Sequence, residues 1–249
     1  MCFVEPFAHV QQENRFTLFF HPQYNLKTWQ LCGFEAAIRN MDYRNTIHNA
    51  DKFVPQTEQI AELNLWAFKQ VCEYQMARQT QRRTLFPITV NIPFSTLSNP
   101  YAVYDLAMLR QTYPIPSRAV RLALPSTASY SDAHNIIKGL AYLRAQGLKI
   151  VLNYVRTDLT KFSLFGEAVF DQVVLDQCFI TKSVKHARVH EILKNNVGLC
   201  DRLNIQVACN GIDSLLDLEY AQKIGCITGQ GIFFSAPVTS EALCTCHQW

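Results

Sequence analysis

Glycine is scarce in this sequence, with 9 residues among 249. Phosphate-binding loops of the GxGxxG and GxxxxGK types need several glycines close together, and neither pattern occurs. The GxSxG pattern that presents a nucleophilic serine is also absent. No apolar run reaches the roughly 18 residues of a membrane-spanning helix. The sequence therefore argues against a glycine-rich nucleotide site, a GxSxG hydrolase and a membrane protein.

Charged residues are few as well, at 17% of the chain, and the formal net charge is only +3. The basic cluster RQTQRR at 78–83 falls at the end of a predicted helix, where cations favour the helix dipole. We therefore expect no direct contact with DNA. Nine cysteines follow an N-terminus without a secretory signal, which predicts reduced thiols in a cytoplasmic protein.

Short apolar runs alternate with helical patterns along the chain. Apolar spacings of three and four predict helices over 57–76, 131–145 and 213–223, the second with Ser131 or Asp132 as its N-cap. Eight strands are predicted, over 16–20, 31–36, 86–91, 119–124, 149–153, 172–175, 205–209 and 226–229. This order predicts an α/β fold, a (β/α)8 barrel.

One domain accounts for the whole sequence, because 249 residues with 49% hydrophobic content suit a single barrel core. We expect a short N-terminal segment at 1–15, the barrel at 16–240 and a C-terminal tail at 241–249. No linker or internal repeat interrupts this order, and only the first 15 residues precede the predicted strands, so we expect no sensor domain.

Seven segments combine polar residues with flanking apolar strands. They are FFHPQYNLKTWQLCGFEAAIR (19–39), KFVPQTEQ (52–59), ITVNIPFSTL (88–97), YLRAQGLKIVLNYVRTD (142–158), FDQVVLDQCFI (170–180), VACNGIDS (207–214) and GQGIFFSAP (229–237). Their order and spacing resemble the EAL domain, the family of bacterial cyclic di-GMP phosphodiesterases. The resemblance implies a modified (β/α)8 barrel whose first strand is antiparallel, and hydrolysis assisted by two divalent ions.

The resemblance also assigns positions to the family's site residues. Glu35, Asn91, Asp176 and Gln230 match residues that the family uses at its metal and ligand site, and Arg39 stands where the family contacts a phosphate. The other family positions are changed: the glutamine to His21, a glutamate to Leu122, two aspartates to Asn153 and Tyr154, two glycines to Arg156 and Asp158, the lysine to Val174, and two glutamates to Asn210 and Asp213.

These replacements lead us to expect a pocket that has lost its chemistry. Two divalent ions about 4 Å apart repel by roughly 17 kcal/mol at an effective dielectric of about 20, and several carboxylates are needed to offset that. We therefore predict no catalytic residue, no metal, no cofactor and no enzyme activity. The former pocket is predicted to comprise Glu35, Arg39, Asn91, Asn153, Asp176 and Gln230.

The function that the resemblance implies is regulation by protein contact, because a fold can persist after its site has changed. Single-domain EAL regulators of this kind bind the FlhD subunit of the flagellar master transcription factor and repress motility. We expect such a partner here, and weak or absent binding of cyclic di-GMP. The alternative is a metal-free cyclic di-GMP receptor, which Arg39 and Gln230 favour.

Two smaller clusters suggest zinc as an alternative. HARVH places His186 and His190 four residues apart, but the glutamate of an HExxH site is missing. CTCH near the C-terminus offers Cys244, Cys246 and His247, and structural zinc needs a fourth ligand. A solvated helix and a loose tail are the preferred interpretations.

Overall fold

The computed structural model describes residues 15–41, 47–49, 57–125, 133–155 and 170–245. The strands in these ranges are β1 (Arg15–Asn25), β2 (Leu31–Met41), β3 (Ile47–Asn49), β4 (Ile88–Asn91), β5 (Val120–Pro125), β6 (Lys149–Val155), β7 (Gln172–Leu175), β8 (Gln206–Asn210), β9 (Thr228–Gln230) and β10 (Val238–Thr239). The helices are α1 (Thr57–Thr80), α2 (Phe94–Leu97), α3 (Pro100–Thr112), α4 (Ala133–Ala145), α5 (Gln177–Lys185), α6 (Ala187–Arg202), α7 (Leu215–Ile224) and α8 (Ser240–Thr245).

Eight of the strands close into a barrel. Their order is β1-β2-β4-β5-β6-β7-β8-β9, and β9 pairs back with β1. Strand β1 runs antiparallel to both of its barrel neighbours. The other neighbouring barrel strands, from the β2–β4 pair to the β8–β9 pair, are parallel. Strands β3 and β10 add antiparallel pairings on β2 and β1. The predicted modified (β/α)8 barrel with an antiparallel first strand is confirmed.

The two faces of each strand pack against different surroundings. Alternate residues of β5 such as Leu122 and Leu124 lie in the main core, which packs the sheet against the surrounding helices. Ala123 instead lies in a small inner cluster, which it forms with Val151, Val174 and Ala208. Small side chains face inward because a closed eight-stranded barrel leaves little room at its axis.

The predicted helices extend or shift by a few residues at their ends. The first continues to Thr80, four residues beyond its predicted end. The third begins at Leu215 because Ser214 and Asp217 form a capping box, and it ends at Ile224, followed by the C-cap Gly225, whose φ of 99° suits glycine. Ser131 and Asp132 lie outside the described residues. The domain boundaries stay a prediction.

The HARVH segment, predicted as a solvated helix, is helical from Ala187 onward. His186 is the N-cap of α6, with extended backbone, while His190 lies within the helix. The His190 Nδ1 atom lies 2.6 Å from the Tyr220 hydroxyl of α7 and so joins two helices. Cys246 and His247 lie outside the described residues. None of the helices in the described ranges is both long enough and apolar enough to cross a membrane.

Candidate ligand site at the barrel mouth

Five strands bring a polar side chain to the carboxyl end of the barrel. Glu35 comes from β2 and Asn153 from β6, while Asn91, Asn210 and Gln230 are the last residues of β4, β8 and β9. Parallel strands end on the same side of a barrel, so residues far apart in the chain meet there. This end is the mouth, where barrel proteins place their functional residues.

The Glu35 carboxylate lies at the centre of a hydrogen-bonded network of amides. Its Oε1 accepts from Asn91 Nδ2 at 2.8 Å and from Asn153 Nδ2 at 3.1 Å. Its Oε2 accepts from Gln230 Nε2. Asn153 Nδ2 also donates to Asn91 Oδ1 at 2.7 Å. Three neutral donors thus stabilise one buried charge, the condition under which a carboxylate tolerates burial.

The network continues from the mouth into the barrel. Gln230 Oε1 accepts from Gln23 Nε2 of β1 at 2.9 Å, and Gln230 Nε2 lies 3.3 Å from Asn210 Oδ1. Gln230 and Asn153 are almost fully buried, with 3% and 2% exposure. Each amide is oriented by its neighbours, so the mouth is held in one arrangement.

Asp176 and Arg39 have other contacts. Asp176 is the N-cap of α5, and its Oδ1 accepts from the Cys178 backbone N–H at 2.7 Å. Arg39 lies four residues beyond Glu35 on the same face of β2, and its Nη1 donates to the Ile38 carbonyl at 3.2 Å. Of the six predicted pocket residues, the described hydrogen bonds join Glu35, Asn91, Asn153 and Gln230 into one network.

His21 lies at the mouth, outside the six residues of the predicted pocket. It pairs in register with Glu35 across β1 and β2, and its Nε2 is buried without a hydrogen-bond partner among the described residues. Burial lowers the pKa of His21 below its ordinary value of 6.5, although the Glu35 carboxylate and a hydrogen bond to the Ser235 backbone act in the opposite direction. The pairing of an antiparallel first strand with β2 was the signal that could have found it.

On β5, the structure places Ala123 rather than Leu122 at the inward position beside Asn91. Leu122 was matched to a family glutamate, but its side chain packs in the main core rather than at the mouth. The inward-facing neighbour of Asn91 on β5 is Ala123, which pairs with it in register. Strand alternation decides this, because adjacent residues face opposite sides of the sheet. Ala123 has no carboxylate either.

The described donor set does not fit two divalent ions. Hard cations need several carboxylate oxygens, whereas the hydrogen-bond partners described for Glu35 are neutral amides. Across the described residues, no three His, Cys, Asp or Glu side chains converge where they could share a metal ion. The side chain of Tyr154, and all of Arg156 and Asp158, lie outside the described residues.

Solved structures that resemble this barrel include a phosphodiesterase and an EAL domain. The PaMucR phosphodiesterase, solved as a cyclic di-GMP complex, matches with a TM-score of 0.83 and 19% identity over 95% of this chain and 96% of that chain. The FimX EAL domain of Xanthomonas citri, also solved with cyclic di-GMP, matches with a TM-score of 0.81 and 17% identity over 94% of this chain and 91% of that chain. At these identities the likeness shows the fold.

Curated relatives point to the same family. Cyclic di-GMP phosphodiesterase PA2567 of Pseudomonas aeruginosa is 23% identical over 234 residues, which cover 93% of this chain and 40% of PA2567. The oxygen sensor protein DosP of Escherichia coli is 21% identical over 233 residues, covering 92% of this chain and 29% of DosP. The chain therefore matches less than half the length of either relative.

The prediction that this chain is not an enzyme is wrong. Its match to PA2567 and the likeness of its fold to PaMucR associate it with proteins named as phosphodiesterases. That prediction follows from the changed acids, lysine and glycines alone. The EAL domain model matches residues 7–237, which is most of the sequence, so the chain belongs to the EAL domain family.

Proposed function

We propose that this EAL-domain protein acts in the cytoplasm as a regulator whose output is contact with another regulatory protein. The partner we propose is a FlhD-type transcription factor of flagellar motility, with repression of motility as the result. The observation that supports contact is a surface one: Leu216 and Ile232 are 76% and 68% exposed beside the mouth. The named partner rests on the resemblance. The role does not depend on whether cyclic di-GMP is hydrolysed.

Co-purification tests this proposal. We expect the full chain to retain FlhD on an affinity column, and its overexpression to reduce swimming on soft agar. Glu35→Ala disrupts the amide network inside the mouth and should leave FlhD binding unchanged, because Glu35 is 7% exposed. The proposal fails if FlhD is not retained and swimming is unaffected. Loss of binding with Glu35→Ala would instead place the contact at the mouth.

Cyclic di-GMP binding at the mouth is a second candidate function. PaMucR and FimX, which share this fold, were both solved with that ligand, and they weigh against our expectation of weak binding. The Nε2 atom of His21, which has no hydrogen-bond partner among the described residues, and the amides around Glu35 offer hydrogen bonds to a nucleotide. Calorimetry without added metal measures the affinity for cyclic di-GMP. A dissociation constant of about 10 µM or tighter, weakened by Gln230→Ala, would support this candidate.

A further inference from the structure

Three exposed aliphatic side chains lie at one edge of the mouth. Leu215 and Leu216 begin α7, and Ile232 follows β9; they are 53%, 76% and 68% exposed. We call these three residues the rim patch. A single exposed leucine needs no explanation, but grouped apolar side chains with a polar border mark interaction sites.

Hydrogen bonds fix the two segments of the rim patch relative to each other. Asp213 Oδ1 accepts from the Ile232 backbone N–H at 3.3 Å. The Phe233 N–H donates to the Ile212 carbonyl at 3.1 Å, and the Ile212 N–H donates to the Gln230 carbonyl at 3.0 Å. Binding to such a surface costs little ordering entropy, because its backbone is already held in place.

Acidic side chains border the rim patch. Asp213 and Asp217 lie in the loop and first turn that hold it, and Asp217 closes the capping box with Ser214. Glu219 lies three and four residues after Leu216 and Leu215, so it shares their helical face. None of the salt bridges described for this chain involves these three acids. The patch therefore presents aliphatic side chains within a negative border.

We propose that the rim patch is the docking site for a basic amphipathic segment of a partner protein, with apolar side chains on one face and Lys or Arg beside them. The aliphatic residues would take the apolar face, and Asp213, Asp217 and Glu219 would attract the cations. The inference rests on the proposed function, since it names the surface and the partner chemistry of that contact. A segment docked there lies beside the mouth, because Ile232 is two residues from Gln230.

Two fluorescent peptides of about 14 residues test the surface directly: an amphipathic leucine–lysine helix and its leucine–glutamate counterpart. We expect the full chain to bind the lysine peptide and not the glutamate peptide, and the affinity to fall as salt is added. The double variant Leu216→Ser with Ile232→Ser should bind at least about tenfold more weakly. Tyr101→Ser is the matched control, because it removes an 81% exposed side chain from α3.

The outcomes separate this inference from the proposed function. Circular dichroism and thermal unfolding first establish that the variants fold. Equal binding of both peptides, or undiminished binding by the double variant, would overturn the rim patch as a basic-segment site. Self-association that the double variant abolishes would also overturn it, since the occupant would be a second copy. If the double variant still retains FlhD, the proposed function stands and FlhD binds elsewhere than at the rim patch. If the full chain binds the lysine peptide but does not retain FlhD, the rim patch stands and the proposed partner is wrong.

Discussion

Asn153 shows how one side chain determines what the mouth tolerates. Its Nδ2 donates to both Glu35 Oε1 and Asn91 Oδ1, so it links the buried carboxylate to a second amide. An aspartate there would replace both attractions with repulsion, because it has no donor and carries a negative charge at neutral pH. The amide therefore stabilises a mouth that holds a single buried glutamate in this network.

Asn153→Asp is expected to lower the free energy of unfolding by about 1–3 kcal/mol at pH 7. Two adjacent carboxylates raise the pKa of one of them, so the loss should shrink as the pH falls and one acid binds a proton. Urea unfolding near pH 7 and near pH 5 measures this loss in the free energy of unfolding. Asn195→Asp on the exposed face of α6 is the control. The same loss at both pH values would contradict the repulsion.

His21 should make stability depend on pH. Its pKa is lowered in the folded protein, chiefly by burial, so the unfolded chain binds more protons below the ordinary value of 6.5. Stability should therefore fall as the pH drops below that value. His21→Gln, which installs the family's residue, is expected to flatten the melting temperature between about pH 7.5 and 5.5. An unchanged slope would mean that other groups cause the dependence.

At the scale of elements, the chain after β9 packs closely against the loop after β8. A Cβ atom on Gly231 would overlap the backbone of Ile212, whereas one on Gly198 in α6 would meet the Arg202 side chain at 3.6 Å. Glycine is thus required at the first position by close approach of two backbones. The same contact positions Ile232 at the rim.

Gly231→Ala is expected to cost about 2–3 kcal/mol or more, because backbone atoms cannot move aside as a side chain can. Gly198→Ala provides the matched control and should stabilise the protein by about 0.5–1 kcal/mol, since alanine is the better helix former. Thermal and urea unfolding of the two variants compare them. Equal effects would show that the segment after β9 can shift away from Ile212.

At the scale of the molecule, closure of the barrel joins distant elements into one core. The main core extends from β1 and α1 to α7 and α8, and β1 completes the ring by pairing with both β2 and β9. Trp29 contacts Phe233 and Phe234, while Trp66 of α1 packs against the core at a different element. The two tryptophans thus report on separate parts of the structure.

We expect the two tryptophans to report the same unfolding midpoint. Variants that keep only Trp29 or only Trp66, with Trp249 replaced by phenylalanine in both, should unfold in urea at one concentration by fluorescence. Far-ultraviolet circular dichroism should coincide with both. Separated midpoints would show that part of the ring opens independently of the rest.

The sequence by itself determined the order of the eight barrel strands, three of the helices and the family. Strand 172–175 was predicted at its observed bounds, and the spacing of the seven segments identified the EAL pattern. Periodicity and segment order are local properties, so they can be read before folding. The sequence alone also assigned a site position on β5 to Leu122, although Ala123 is the residue that faces inward. From changed residues alone it led to the wrong prediction that the chain is not an enzyme.

Only the tertiary structure decided which side chains meet. Glu35 and Gln230 are 195 residues apart, and closure of the barrel places them in hydrogen-bond contact. The hydrogen bond of His21 to the Ser235 backbone and the grouping of Ile232 with the start of α7 also join residues far apart in the chain. Each depends on contacts between residues distant in the chain, and no local pattern specifies those, because a strand's period shows its two faces without showing what each face will touch.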